Sequence, residues 1–191
     1  MTVSASRFIV AFVTASSLAA AAQGAITYTA SLNGVIEAPP NASPGTGEAT
    51  LVYDPIARTY TLSTTFRDLL GVVTVAHIHA ATANPFTGTA GVATPTPTFP
   101  GFPAGVSSGT YDVVLSSIAT SSYNGAFITN NGGTALSAEA AFRSALDSGR
   151  AYLNIHSSLF PGGEIRGFFV PSPSAAAMLG LGGLVAMRRR R

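Results

Sequence analysis

Apolar side chains recur at every second position near the start of the chain. Ile26, Tyr28, Ala30 and Leu32 would all point to one side of an extended backbone. A period of two specifies a strand with one face buried and one face wet. The same reading extends over most of the sequence. Thr46–Tyr53 and Arg58–Phe66 flank an Asp54-Pro55 turn and predict a hairpin. Val72–Ala80, Gly109–Ser117, Arg150–His156 and Glu164–Val170 complete about seven strands. The 20 Gly and 12 Pro supply the breaks between them. The Pro-rich stretch Thr94–Gly105, with Phe99 and Phe102, reads as a loop.

One helix is expected around residues 137–149. Ser137 can cap it, Glu139 suits its first turn, and Gly149 follows its end. Ala138, Ala141, Phe142, Ala145 and Leu146 form its apolar face. Seven strands and one short helix predict a mainly β fold, an antiparallel β-sandwich, with a closed barrel as the alternative.

The net charge of +2 conceals an uneven distribution. All ten basic residues are Arg, and five of them (Arg7 and Arg188–Arg191) lie at the two ends. Between the ends, Arg58, Arg67, Arg143, Arg150 and Arg166 face all eight acidic residues. That middle is mildly acidic, which argues against nucleic-acid binding. There is no Cys, so disulfides, thiolate zinc sites and Cys nucleophiles are excluded. Without Lys there is no phosphate-binding P-loop, and no Gly-x-Ser-x-Gly elbow is present. No catalytic set emerges, and the chain reads as non-enzymatic.

The first 24 residues have the pattern of a signal peptide. Arg7 precedes the apolar runs Phe8–Val13 and Leu18–Ala22, and Ala22-Gln23-Gly24 predicts cleavage between Gly24 and Ala25. At the other end, Val170-Pro171-Ser172-Pro173 precedes an uncharged stretch, Ser174–Met187, and then Arg188, Arg189, Arg190 and Arg191. Fourteen helical residues reach about 21 Å, short of a hydrocarbon core of about 30 Å. Segment 171–191 resembles the PEP-CTERM sorting signal of bacteria with an exosortase system, with Ser172 where Glu is usual. The N-terminal pattern implies processing by signal peptidase, and the resemblance of the tail implies handling by an exosortase-like peptidase. That resemblance also implies transient anchoring in the inner membrane through a transmembrane helix, and delivery to the cell surface or extracellular matrix. The domain would span residues 25–170.

His77 and His79 stand two apart, so a strand places both imidazoles on one face. His156 ends the sixth strand, and Glu164 and Arg166 follow across the Pro161-Gly162-Gly163 turn. If these strands are neighbours, the five side chains converge. Two chemistries are open: a Zn or Cu site on His77, His79 and His156, or a buried polar network that includes Glu37, Glu164 and Arg166. Asn41-Ala42-Ser43 matches a glycosylation sequon by pattern, but the bacterial-type tail argues against its use.

Several blocks together resemble a known family. They are Leu32-Asn33-Gly34, Glu37-Ala38-Pro39-Pro40, Gly45-Thr46-Gly47-Glu48-Ala49-Thr50 and Ala76-His77-Ile78-His79. Gly149–His156 and Pro161–Gly167 complete the set. In this order they resemble the CHRD domain, named from chordin, over about Tyr28–Phe169. The resemblance implies an extracellular β domain and no reaction. The expected role is a binding or structural module at the surface or in the matrix, with an envelope protein or polysaccharide as its partner. A likeness to copper–zinc superoxide dismutase is confined to a sandwich and a His-x-His strand.

Overall fold

The computed structural model describes residues 24–172. The chain forms eight strands: β1 Ile26–Asn33, β2 Thr46–Asp54, β3 Thr59–Arg67, β4 Val73–His79, β5 Gly109–Ser116, β6 Tyr152–Ser157, β7 Ile165–Phe168 and β8 Val170–Pro171. Two helices, α1 Gly125–Asn130 and α2 Ala135–Asp147, fall between β5 and β6.

The strands were expected to form a sandwich and do not. All eight belong to one antiparallel sheet in the order β4-β6-β7-β1-β2-β3-β5, with β8 beside β1. The sheet curls into an open half-barrel. Its apolar face is covered by α1, α2 and the Pro-rich loop, which take the place a second sheet would fill. Tyr28, Ala30 and Leu32 of β1 meet this core, as do Leu51 and Tyr53 of β2, Tyr60 and Leu62 of β3, and Leu153 and Ile155 of β6. From above come Phe142 and Leu146 of α2, Phe127 of α1, and Phe99 and Phe102 of the loop. Phe142 sets its edge against Tyr60, with centroids 5.2 Å apart. Burying each of these large side chains contributes about 1.5–3 kcal/mol.

The single expected helix is two. The predicted one is α2, and its N-cap is Thr134 and not Ser137. Ser137 is instead the reciprocal partner: its backbone N–H donates to Thr134 Oγ1 at 3.1 Å, while the Thr134 N–H donates to Ser137 Oγ at 3.2 Å. The unanticipated helix α1 is capped by Asn124, whose side chain accepts from Ala126 N–H.

β4 lies at one end of the sheet, and its outer edge is bonded to the Pro-rich loop. Thr94 Oγ1 accepts from Ile78 N–H at 2.8 Å, and Thr98 Oγ1 accepts from Ala76 N–H at 2.9 Å. Phe99 N–H and Ala93 N–H donate to the carbonyls of Ala76 and Ile78. A segment that reads as structureless thus completes the ladder of an edge strand.

The expected transmembrane helix and transient membrane anchoring are also corrected. Among the described residues, no helix is long and apolar enough to cross a membrane. The segments on which those expectations rested, 1–23 and 173–191, lie outside the described residues.

Candidate metal centre

Antiparallel pairing of β4 with β6 brings the three histidines together. His77 lies opposite Asn154 and His79 opposite Tyr152, while His156 lies opposite Val75. Paired residues point to the same side of the sheet, so these side chains share the face away from the apolar core. The His77 ring centroid is 4.7 Å from that of His79 and 4.8 Å from that of His156. The three residues offer ring nitrogens within 4.8 Å of one another.

The protons on these rings follow from their partners. His77 Nδ1 lies 3.0 Å from the Pro97 carbonyl, His79 Nδ1 2.8 Å from that of Ala90, and His156 Nδ1 2.8 Å from that of Pro161. A carbonyl oxygen only accepts, so each Nδ1 carries the proton and donates. In a neutral ring the Nε2 is then a bare lone pair. His77 Nε2 and His156 Nε2 face each other at 3.0 Å. His79 Nε2 is buried and has no hydrogen-bond partner.

Charging a ring would supply a proton for that contact, and burial opposes it. It lowers the pKa of all three histidines, that of His79 to about 4; the Ala90 carbonyl offsets only part of this shift. The result is three neutral imidazoles presenting lone pairs to a common point, each oriented by a backbone carbonyl. Metal-binding histidines are held in this way. An ion about 2.0–2.1 Å from each nitrogen sets them roughly 3.4 Å apart, so adjustments on the ångström scale complete the geometry.

The rest of the expected polar network divides in two. Arg166 lies opposite Asn154 on β7. Its guanidinium donates to the carbonyls of Ile36 and Gly88, stands 3.8 Å from Glu37 Oε2, and lies over the Tyr152 ring at 4.9 Å. Tyr152 in turn stacks on His79, with centroids 4.8 Å apart. Burial raises the Glu37 carboxyl to about 7 and outweighs the attraction of Arg166, although the spacing is that of an ion pair. Glu37 Oε1 and Asn154 Oδ1 are buried acceptors without partners. Both lie near Gly163, within 2.7 Å of where a Cβ on that residue would stand.

Glu164 joins neither the histidines nor Arg166. It accepts from Ser43 Oγ at 2.6 Å, Leu70 N–H at 2.5 Å and Gly71 N–H at 3.2 Å. Burial alone would raise its pKa, but these bonds and one from Ser157 hold it below the usual range. The ladder of β7 begins only at Ile165, after Gly163 at φ +130°, so strand alternation does not extend back to Glu164. Asn41 is also a structural residue. Its amide donates to the Glu164 carbonyl at 3.0 Å, and its Oδ1 accepts from Ser43 N–H at 3.0 Å.

The model of the CHRD domain family matches residues 28–169. The chain belongs to the CHRD domain family. No curated protein and no solved structure gives a match. CHRD domains are binding or structural modules without catalysis, and this one is not an enzyme.

Within this CHRD domain, sequence reasoning missed the Pro97, Ala90 and Pro161 carbonyls, the Tyr152 ring and Asn154. Carbonyls leave no mark in residue identity. Asn154 and Tyr152 could have been found from the alternation that gave His156. The residues assigned to processing lie elsewhere. Gly24 and Ala25 are exposed just before β1. Val170 and Pro171 pair with Thr29 and Tyr28, and Ser172 N–H donates to the Thr27 carbonyl at 2.8 Å. Pro173 and Arg188–Arg191 lie outside the described residues.

Proposed function

We propose that this CHRD domain is a non-catalytic metal-binding module that holds one Zn or Cu ion on His77, His79 and His156. The observation that carries the reading is the 3.0 Å contact between two Nε2 atoms whose rings both spend their proton at Nδ1. A purely structural polar network supplies a donor for each buried acceptor. Here three lone pairs meet without one, and a metal cation is the electrophile that three imidazoles accept. Zn and Cu suit nitrogen donors, whereas Ca²⁺ and Mg²⁺ call for oxygen.

Thermal unfolding of the full chain tests the reading. A ligand that binds only the folded state adds about 2.7 kcal/mol at a free concentration one hundred times its Kd. Zn²⁺ or copper should raise the Tm of the wild type and leave His77→Ala and His156→Ala unchanged, while Mg²⁺ does nothing for any of them. An equal rise in wild type and variants would overturn the proposal.

A further inference from the structure

The charge around the three nitrogens discriminates between the ions that three imidazoles accept. We propose that the centre is built for monovalent copper, Cu(I), in preference to Zn²⁺ or Cu²⁺; this rests on the metal-binding reading above.

The donor set is uncharged. Each ring keeps its Nδ1 proton on a carbonyl, so none is an imidazolate. No carboxylate belongs to the cluster. Glu164 is committed to Ser43, Leu70 and Gly71, and Glu37 faces Arg166. The buried Glu139 is bonded to Tyr53, Ser117 and Arg58. A cation stands behind His79, since Arg166 lies over the Tyr152 ring that stacks against it.

An ion entering this site therefore brings its full charge into a buried place with no counter-charge. His77 and His156 are only 7 % and 8 % exposed. The cost of moving an ion out of water grows with the square of its charge, so a divalent ion costs about four times as much as a monovalent one. All three Nδ1 partners here are neutral carbonyls, so no negative charge stands behind the histidines.

Coordination number points the same way. Zn²⁺ completes four positions, and three protein ligands leave the fourth to a water or hydroxide. At this centre the His79 Nε2 is sealed from solvent. Cu(I) has a filled d shell and is content with three nitrogen donors, so it requires neither a fourth ligand nor an anion.

The test is a set of parallel competition titrations of the full chain. Cu(I) is titrated without oxygen against a chromophoric Cu(I) chelator; Zn²⁺ and Cu²⁺ are titrated against chelators of their own. One equivalent of Cu(I) should bind, tighter than either divalent ion by about a hundredfold or more, given the charge penalty. His79→Gln keeps a polar side chain of similar reach and should lose the Cu(I) while unfolding cooperatively as the wild type does. Tighter retention of Zn²⁺ or Cu²⁺ than of Cu(I) would overturn the assignment and leave the metal-binding reading intact. Failure of the folded wild type to take up any of the three ions would overturn both.

Discussion

Replacing Glu164 by Ala should be the most damaging single change outside the apolar core, and it should act without touching the histidines. The carboxylate is fully buried and gathers donors from three segments: Ser43 Oγ, the Leu70 and Gly71 amides, and the Ser157 hydroxyl. A hydrogen bond to a charged group contributes about 1.5–3 kcal/mol, and each buried donor left without a partner costs about 1–3 kcal/mol. These terms do not add in full, because Leu70 is more than half exposed and its amide can turn to water. A loss of about 3–5 kcal/mol is expected for Glu164→Ala. Glu164→Gln keeps one acceptor oxygen and should lose about half as much. Urea unfolding with an unchanged m-value measures both. A loss below about 1 kcal/mol for Glu164→Ala would refute the view that this carboxylate holds the loops together.

Other consequences follow from single contacts. Gly163→Ala places a Cβ 2.6 Å from the Asn154 amide and 2.7 Å from Glu37 Oε1, at a φ of +130°. It should cost about 2–4 kcal/mol by urea unfolding, and a neutral result would mean that the turn yields freely. Phe142→Ala empties the centre of the core beneath α2 and should cost about 3–5 kcal/mol in the same assay. Glu37 is a carboxyl whose folded pKa is raised, to about 7. Its contribution is therefore complete below about pH 4.5 and is lost as pH rises towards 7. Wild-type stability should fall relative to Glu37→Gln across that interval, and parallel profiles would contradict the assignment.

The sequence and the structure agree where periodicity decides and part where pairing does. Tyr28, Ala30 and Leu32 are buried on one face of β1, as alternation requires. Alternation says which face of a strand is buried, but not what lies opposite. The choice of a sandwich assumed a second sheet, and the covering layer proved to be helices and a loop. Its pieces were hard to see. Helix α1 is six residues long and starts at a glycine, while the Pro-rich loop offers Thr94 and Thr98 hydroxyls where a strand would offer backbone. In the site, His77 and His79 were legible as a pair on one face. Bringing His156 to them required the β4–β6 pairing, which the local pattern does not encode. Glu164 was misplaced because Gly163 breaks the alternation that appeared to link it to Arg166.

The central claim is that three Nε2 lone pairs form a metal centre. Extended X-ray absorption on the loaded full chain, together with the metal-to-protein ratio, tests this most directly. One ion per chain is expected, with about three nitrogen neighbours near 2 Å and the outer-shell scattering of imidazole rings. A shell of oxygens without imidazole scattering, or the same spectrum from a His77→Ala and His156→Ala double variant, would contradict it.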